Sequence, residues 1–161
     1  KFAYPDDASE TPDTLQTVYE YDGFSILWEH ATGIDNGNYG RNHGISFIGN
    51  NGTLVLDRNG WEVISEKNKM NSIPLQKNQG SGLDKHTVNF IEAVKSRDGS
   101  KLKAPLKVGY DAALVCHMGN IAFKTGNRIY WDNYSGQFSD DASNALINAH
   151  YQNGWELPKG R

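Results

Sequence analysis

Cysteine is nearly absent from this sequence. Among 161 residues there is one cysteine, Cys116. An internal disulfide needs two cysteines and a cysteine-cluster zinc site needs several, so the sequence excludes both. A histidine-based metal site is disfavoured as well, because no His-x-x-x-His pair occurs and the carboxylates are scattered along the chain. We therefore expect no metal site.

Long apolar runs are also absent. No stretch approaches the ~20 consecutive apolar residues that a transmembrane helix requires. The start, Lys1 to Pro5, has neither an initiator Met nor the apolar segment of a signal peptide. We interpret Lys1 as a cut inside a longer protein. The compartment of that protein is left open, with the cytoplasm favoured over export.

Positive charge is sparse and dispersed. The formal net charge is -3, and the 16 Lys and Arg residues form no patch. A protein that follows a phosphate backbone needs such a patch, so nucleic acid is excluded as a partner.

Nucleotide-binding motifs are missing too. The nearest approach to G-x-G-x-x-G is Gly80-Ser81-Gly82, but Lys85 occupies the position of the third Gly. The residues before it do not form a buried strand, and no Walker-type phosphate loop occurs. The sequence itself therefore contains no cofactor-binding residue.

The first half of the chain contains alternating apolar and polar residues separated by Asp-Gly and Asn-Gly turns. This pattern predicts antiparallel strands joined by tight turns. The predicted strands are 15–21, 24–29, 44–49, 53–57 and 61–65. A long loop, 31–44, connects the second strand to the third, and 66–82 is predicted to be a surface excursion without regular structure.

The second half changes to helical periodicity. Helices are predicted over 85–97, capped by Asp84, and over 107–125, ended by Gly126. A third helix, capped by Ser139-Asp140-Asp141, is predicted to extend to about His150. A strand over 128–132 and an extended tail over 155–158 complete the prediction. Strands followed by helices indicate an α+β fold, with an open, mainly antiparallel sheet and helices covering one face.

Two groups of residues invite a catalytic interpretation. Cys116 and His117 are neighbours, but on a helix they point about 100° apart, and their surroundings are the most apolar stretch of the chain. We expect a buried core thiol. Glu20, Glu29 and Glu62 lie on predicted strands and allow a two-carboxylate glycosidase, although charges on the wet face of a sheet explain them equally well.

The long loop carries the strongest candidates for ligand binding. Its relevant side chains are Asp35, Tyr39, Arg41 and His43, and His30 directly precedes it. Such side chains on an irregular loop suit a polyhydroxylated or anionic ligand. Solvated side chains or an oligomer contact are the alternatives. We take His30, Tyr39, Arg41 and His43 as the candidate substrate-binding residues.

Several segments in order resemble one branch of the Gfo/Idh/MocA oxidoreductases. The resemblance extends from about Tyr4 to Pro158, and no single motif is diagnostic. The segments are Tyr4-Pro5-Asp6, Thr11-Pro12-Asp13-Thr14, 26–30 (ILWEH), 39–54 (YGRNHGISFIGNNGTL), 86–94 (HTVNFIEAV), 117–122 (HMGNIA) and 129–132 (IYWD).

This resemblance implies a two-domain enzyme. An amino-terminal Rossmann domain, absent from the chain, would bind NAD or NADP. Residues 1–161 would form the carboxy-terminal domain, with a fold like that of the carboxy-terminal domain of glyceraldehyde-3-phosphate dehydrogenase. Its sheet would form the substrate wall for a small carbohydrate-like molecule and the contact of a homo-oligomer.

The catalytic elements of that family cannot be placed in this chain. Glu66-Lys67-Asn68 matches the family's Glu-Lys-Pro segment at two positions only, and the catalytic Asp and His would precede Lys1. We therefore expect no catalytic residue, no bound cofactor and no activity in residues 1–161 alone. A free-standing carbohydrate-binding or scaffolding module and part of an NAD-assisted glycoside hydrolase are the alternatives.

Overall fold

The computed structural model describes residues 2–156. The chain divides into two compact units, 1–103 and 104–161. Lys1 and residues 157–161 lie outside the described residues, and with them the end of the predicted extended tail over 155–158.

The first unit begins with a β-hairpin. Strands β1 (Thr14–Tyr21) and β2 (Phe24–Ala31) pair in an antiparallel arrangement, which confirms the prediction from alternation and from the Asp-Gly turn. Gly23 has φ +85°, the left-handed conformation that the turn requires. Cross-strand partners lie on the same face of the hairpin. The register therefore places these residues together on one face: Leu15, Thr17, Tyr19, Tyr21, Phe24, Ile26, Trp28 and His30.

A four-stranded antiparallel meander follows. Its strands, in spatial order, are β3 (Ile45–Ile48), β4 (Gly52–Asp57), β5 (Gly60–Ser65) and β6 (Ile73–Lys77). The first three were predicted to within one residue at each end. At the β4–β5 turn, Gly60 has φ +153°, and a Cβ there would collide with the Gln76 carbonyl oxygen, so the close approach of β6 requires glycine.

The fourth strand, β6, corrects the prediction of an irregular excursion over 66–82. It pairs with β5 through an irregular register between Trp61 and Val63. All five of its residues are exposed, and one of them is Pro74. Proline has no N–H to donate and is tolerated on an edge strand. The segment therefore lacks the buried alternation from which a strand is predicted.

The two faces of the meander differ in character. The register places Ile45, Phe47, Leu54, Leu56, Trp61 and Val63 together on what we call the apolar face. The opposite face carries Ser46, Ile48, Thr53, Val55, Asp57, Glu62 and Ile64. Val55, on this opposite face, is only 2% exposed, whereas Phe47 and Trp61 on the apolar face are 60% and 42% exposed.

Helix α1 (Gly82–Ser96) completes the first unit. It begins before the predicted Lys85, and its cap is Ser81 instead of Asp84. The Ser81 backbone is extended, and its hydroxyl oxygen accepts a hydrogen bond of 3.2 Å from the Asp84 N–H. A serine three residues upstream thus satisfies a free N–H of the first turn, which is what an N-cap does.

The predicted inner side of α1 is exposed. Its apolar side chains, Val88, Phe90, Ile91 and Val94, have between 43% and 55% of their surface open. Helix α1 contacts the 3₁₀ turn Gly99–Lys101 that follows it. Asn89 fastens the following segment by donating to the Lys101 carbonyl at 2.8 Å and accepting from the Lys103 N–H at 2.9 Å.

The second unit contains one long helix and short elements. Helix α2 (Leu106–Thr125) ends at Gly126, which has φ +67°, as predicted. Strands β7 (Trp131–Asp132) and β8 (Gln137–Phe138) form a small hairpin, and helix α3 (Asp141–Asn144) follows it.

Two predictions fail in this second unit. The strand over 128–132 is reduced to two residues paired with the unpredicted β8. Helix α3 ends at Asn144, not near His150, because Leu146 and Ile147 donate to carbonyls three residues back, which is turn geometry. The Asn144 side chain is bonded to both the N–H and the carbonyl of Phe138, at 2.8 and 2.9 Å.

The α+β class and the open antiparallel sheet are confirmed. The described residues contain helices together with antiparallel strands only. The apolar side chains that are buried among these residues are Val55, Ala93, Ile121 and Phe138. Within the part of the chain that the structure describes, no helix is long and apolar enough to cross a membrane.

Candidate functional site

The loop between β2 and β3 is fastened at both ends. At its start, the Thr32 N–H donates to the Asp13 carbonyl at 2.7 Å. At its end, Arg41 reaches the meander, and the backbone at Gly44 lies against β4, where a Cβ would come within 2.6 Å of the Leu56 oxygen. The segment between these two anchors is exposed. The loop is therefore attached to the rest of the first unit at both ends and is exposed between them.

Arg41 bridges two carboxylates of the meander. One terminal nitrogen lies 2.9 Å from an Asp57 oxygen, and the other lies 2.6 Å from a Glu62 oxygen. The side chains of Arg41 and Asp57 are only 11% and 6% exposed, and that of Glu62 is 30% exposed. The planar guanidinium, with its fork of donors, suits such a bridge better than an ammonium group does. Arg41 thus ties the loop to β4 and β5.

The electrostatics of this group agree with its geometry. The hydrogen bond to Glu62 raises the pKa of Arg41, with the Asp57 carboxylate adding to the effect. Burial raises the pKa of Asp57, but the Asn59 N–H and the Arg41 side chain outweigh it and leave that pKa below its usual value. The pKa shifts of Arg41 and Asp57 therefore both favour the charged forms.

Tyr39 lies in the exposed part of the loop. It belongs to a 3₁₀ turn, Asn38–Gly40, and has φ +58°, a left-handed conformation uncommon for a bulky residue. Two backbone hydrogen bonds of 3.2 Å stabilise the turn: the Gly40 N–H donates to the Gly37 carbonyl, and the Arg41 N–H donates to the Asn38 carbonyl. The Tyr39 side chain is 46% exposed. The turn thus presents an aromatic ring and its hydroxyl to solvent.

The two histidines have different surroundings. Trp28 donates its indole N–H to Nδ1 of His30 at 3.2 Å, and Nε2 of His30 lies 3.1 Å from the Pro12 carbonyl. Since an indole nitrogen only donates, the proton of neutral His30 is on Nε2, and both ring nitrogens are used. His43 is exposed, with Nδ1 2.6 Å from the Asn42 side-chain oxygen.

The four predicted substrate residues are therefore not equivalent. Tyr39 and His43 are exposed on the loop, Arg41 is held by two carboxylates, and His30 is fixed between Trp28 and Pro12. The partners Asp57 and Glu62 were not anticipated as a pair with Arg41, because they are distant in sequence. Their placement on one sheet face follows from the β4–β5 register, which the Asn59-Gly60 turn makes predictable.

The glycosidase interpretation finds no geometric basis. Glu29 pairs with Gln16, four residues along β1 from Glu20. At ~3.3 Å per residue these two carboxylates are about 13 Å apart along the strands, beyond the separation that either glycosidase mechanism uses. Glu62 is in the other sheet and bonded to Arg41. Among residues 2–156, no group of His, Cys, Asp or Glu is arranged to hold a metal ion.

The prediction of a buried thiol is wrong. Cys116 is exposed, as is His117. The more buried face of α2 carries Leu114, Met118 and Ile121, and Cys116 projects about 200° away from Leu114 around the helix. Residues 112–116 are apolar on every side of the helix, so their sequence does not indicate which face of α2 is buried.

Asp13, beside the start of the loop, holds the first residues of the chain. Its carboxylate accepts the N–H groups of Phe2, Ala3 and Tyr4 at 2.8 to 3.1 Å. These bonds, that of Phe2 above all, lower the pKa of Asp13 from 3.8 to about 2. Consecutive backbone N–H groups thus form an anion-binding concavity filled by the protein's own carboxylate.

We predict that this contact is lost in acid. Because the folded pKa is below the unfolded value, the stabilisation is complete above the unfolded value of 3.8 and disappears as the pH falls towards 2. A carboxyl-carbon NMR titration should give an Asp13 midpoint near 2, with the amide shifts of residues 2–4 changing in parallel. Asp13→Asn should shift those amides at all pH values. A midpoint near 3.8 would contradict the structure.

Comparison with known proteins gives no further assignment. No protein-family model matches the chain, and no curated protein or solved structure matches it either.

Proposed function

We propose that this chain is the substrate-binding and assembly domain of an NAD(P)-dependent oxidoreductase that acts on a sugar or sugar derivative. In the whole enzyme, a separate Rossmann domain would bind the cofactor, and the sheet would help to position the sugar for hydride transfer. The resemblance of the sequence to the Gfo/Idh/MocA oxidoreductases supports this proposal, and so does the antiparallel meander.

One observation carries the proposal, namely the exposed apolar side chains of the meander. Ile45, Phe47 and Trp61 on its apolar face are 58%, 60% and 42% exposed. A soluble chain that acts alone rarely leaves a contiguous apolar surface of this kind open. A domain built to contact other parts of an enzyme has a reason to carry one.

A free-standing carbohydrate-binding module is the second candidate. The observation that favours it is the aromatic face of the β1–β2 hairpin. The rings of Tyr21 and Phe24 stack with centroids 4.8 Å apart and planes 8° apart, and Trp28 is 46% exposed on the same face. Flat, exposed aromatic rings are suited to contact with the apolar faces of sugars.

The experiment that separates the two candidates uses the natural reading frame. We expect the segment upstream of Lys1 to encode a strand, a G-x-G-x-x-G turn and a helix. The protein expressed from that frame should reduce NAD or NADP with a sugar substrate, followed by nicotinamide absorbance, whereas residues 1–161 should not. A start codon immediately before Lys1 would refute the oxidoreductase and favour the module.

A further inference from the structure

We propose that Asn36 is a modification site, at which spontaneous deamidation converts an asparagine of the loop between β2 and β3 (32–44) into aspartate or isoaspartate. The inference is independent of the proposed function. It follows from the hydrogen bonds that surround each Asn-Gly link of the chain, and it gives this loop a slow covalent change of both charge and backbone.

The reaction needs only two adjacent residues and water. The backbone nitrogen of Gly37 attacks the side-chain carbonyl carbon of Asn36, and the Asn36 amide nitrogen leaves as ammonia, which carries the displaced proton. The product is a succinimide ring. Water opens this ring at either of its carbonyl carbons, which yields aspartate or, with the main chain rerouted through the side-chain carbon, isoaspartate. A glycine favours the attack, since it has no Cβ to hinder it.

The sequence contains four Asn-Gly links, beginning at residues 36, 51, 59 and 153. Ring closure needs rotation about the Cα–C bond of the asparagine, because the peptide unit itself is planar and rigid. A hydrogen bond that closes a turn around the link hinders this rotation. The four links are therefore distinguished by their hydrogen bonds and not by the residue that follows the asparagine.

Two of the links are enclosed by backbone hydrogen bonds. The Gly49 N–H donates to the Gly52 carbonyl at 3.0 Å, which closes the turn around the link that begins at Asn51. In the same way, the Trp155 N–H donates to the Gln152 carbonyl at 3.2 Å around the last of the four links. Each of these turns must open before its asparagine can react.

The link between Asn59 and Gly60 is protected by a carboxylate. The Gly60 N–H, whose nitrogen would make the attack, donates to an Asp57 oxygen at 3.1 Å. The Asn59 N–H donates to the same oxygen at 2.7 Å. Because hydrogen bonds to a charged acceptor are the stronger ones, the attacking nitrogen is held in place with its proton.

The link between Asn36 and Gly37 has no such enclosure. Both residues are exposed, and among residues 2–156 neither the Asn36 side chain nor the Gly37 N–H makes a hydrogen bond. The neighbouring backbone bonds, from Ile34 to Ala31 and from Gly40 to Gly37, lie on either side of the link and do not span it. Asn36 is therefore free to reach the geometry of ring closure.

The change at Asn36 reaches the adjacent 3₁₀ turn. The Gly37 carbonyl accepts the first hydrogen bond of that turn, and isoaspartate adds a carbon to the main chain directly before it. Either product also places a new carboxylate beside Asp35. Tyr39, which lies inside the turn in a left-handed conformation, therefore changes its surroundings as the protein ages.

The test is incubation of the full chain at mildly alkaline pH, followed by peptide mapping with mass spectrometry and labelling with an isoaspartate methyltransferase. Asn36 should react at least about tenfold faster than Asn59, the factor that one hydrogen bond to a charged group contributes. It should also react before Asn51 and Asn153. In the urea-unfolded chain the four rates should converge, because glycine follows each asparagine.

Asn36→Gln should abolish the fastest phase of ammonia release, since glutamine must close a larger ring and reacts more slowly. Asn38→Gln is the matched control, because Asn38 is exposed on the same loop but is followed by the bulky Tyr39. This variant should keep the fast phase. Equal rates at Asn36 and Asn59 in the folded chain, an earlier reaction at Asn51 or Asn153, or loss of the fast phase in the Asn38→Gln chain would overturn the inference.

Discussion

Arg41→Met is expected to release the 32–44 loop while β3, β4 and β5 stay paired. The substitution removes the bridge between the loop and the sheet and leaves the Asp57 and Glu62 carboxylates without their shared cation. Amide hydrogen exchange of residues 38–41 should accelerate by at least about tenfold, because a single hydrogen bond to a charged group already contributes that factor. The amides of β4 and β5 should keep their protection.

Arg58→Met provides the control for this prediction. Arg58 is exposed in the turn that follows Asp57, so its loss changes the net charge by the same amount without touching the bridge. Exchange in the loop should then remain at the wild-type rate. Equal loop exchange in the Arg41→Met and wild-type chains would show that the two ion pairs do not hold the loop.

Phe47→Asp is expected to disrupt assembly through the meander. The side chain is 60% exposed on the apolar face, where its neighbours across the register include Leu54. A buried carboxylate without a partner is costly, and an interface that includes this face should weaken at least about thirtyfold, as at an interface hot spot. Sedimentation velocity should show the wild-type chain as an oligomer and the variant as a monomer.

Ser46→Asp is the matched control for Phe47→Asp. It places the same charge on the neighbouring residue of β3, whose side chain is exposed on the opposite face of the sheet. The oligomer should persist in this variant. A wild-type chain that sediments as a monomer at high concentration, with no binding of an apolar dye, would contradict an interface on the apolar face.

The strands of the first half were predictable because their signals are local. Asp22-Gly23, Asn51-Gly52 and Asn59-Gly60 each require a turn, and the alternation on either side sets which residues share a face. The edge strand β6 and the early end of α3 were not predictable in this way. Every residue of β6 is exposed, and α3 ends where the Asn144 side chain is hydrogen-bonded to the backbone of Phe138.

The candidate site shows the same division between local and distant information. The composition of the loop pointed to Tyr39, Arg41 and His43, and all three lie on it. Arg41 is occupied by Asp57 and Glu62, and only the folded sheet brings these two carboxylates close to it. Likewise, the apolar run around Cys116 did not reveal which face of α2 is covered.

Calorimetric titration of NAD and NADP tests the central claim most directly. The claim is that residues 1–161 contribute a substrate and assembly surface, while the cofactor is held by a domain outside them. It predicts no measurable heat with residues 1–161 and micromolar affinity with the protein expressed from the full reading frame. Micromolar binding of either cofactor to residues 1–161 alone would contradict it.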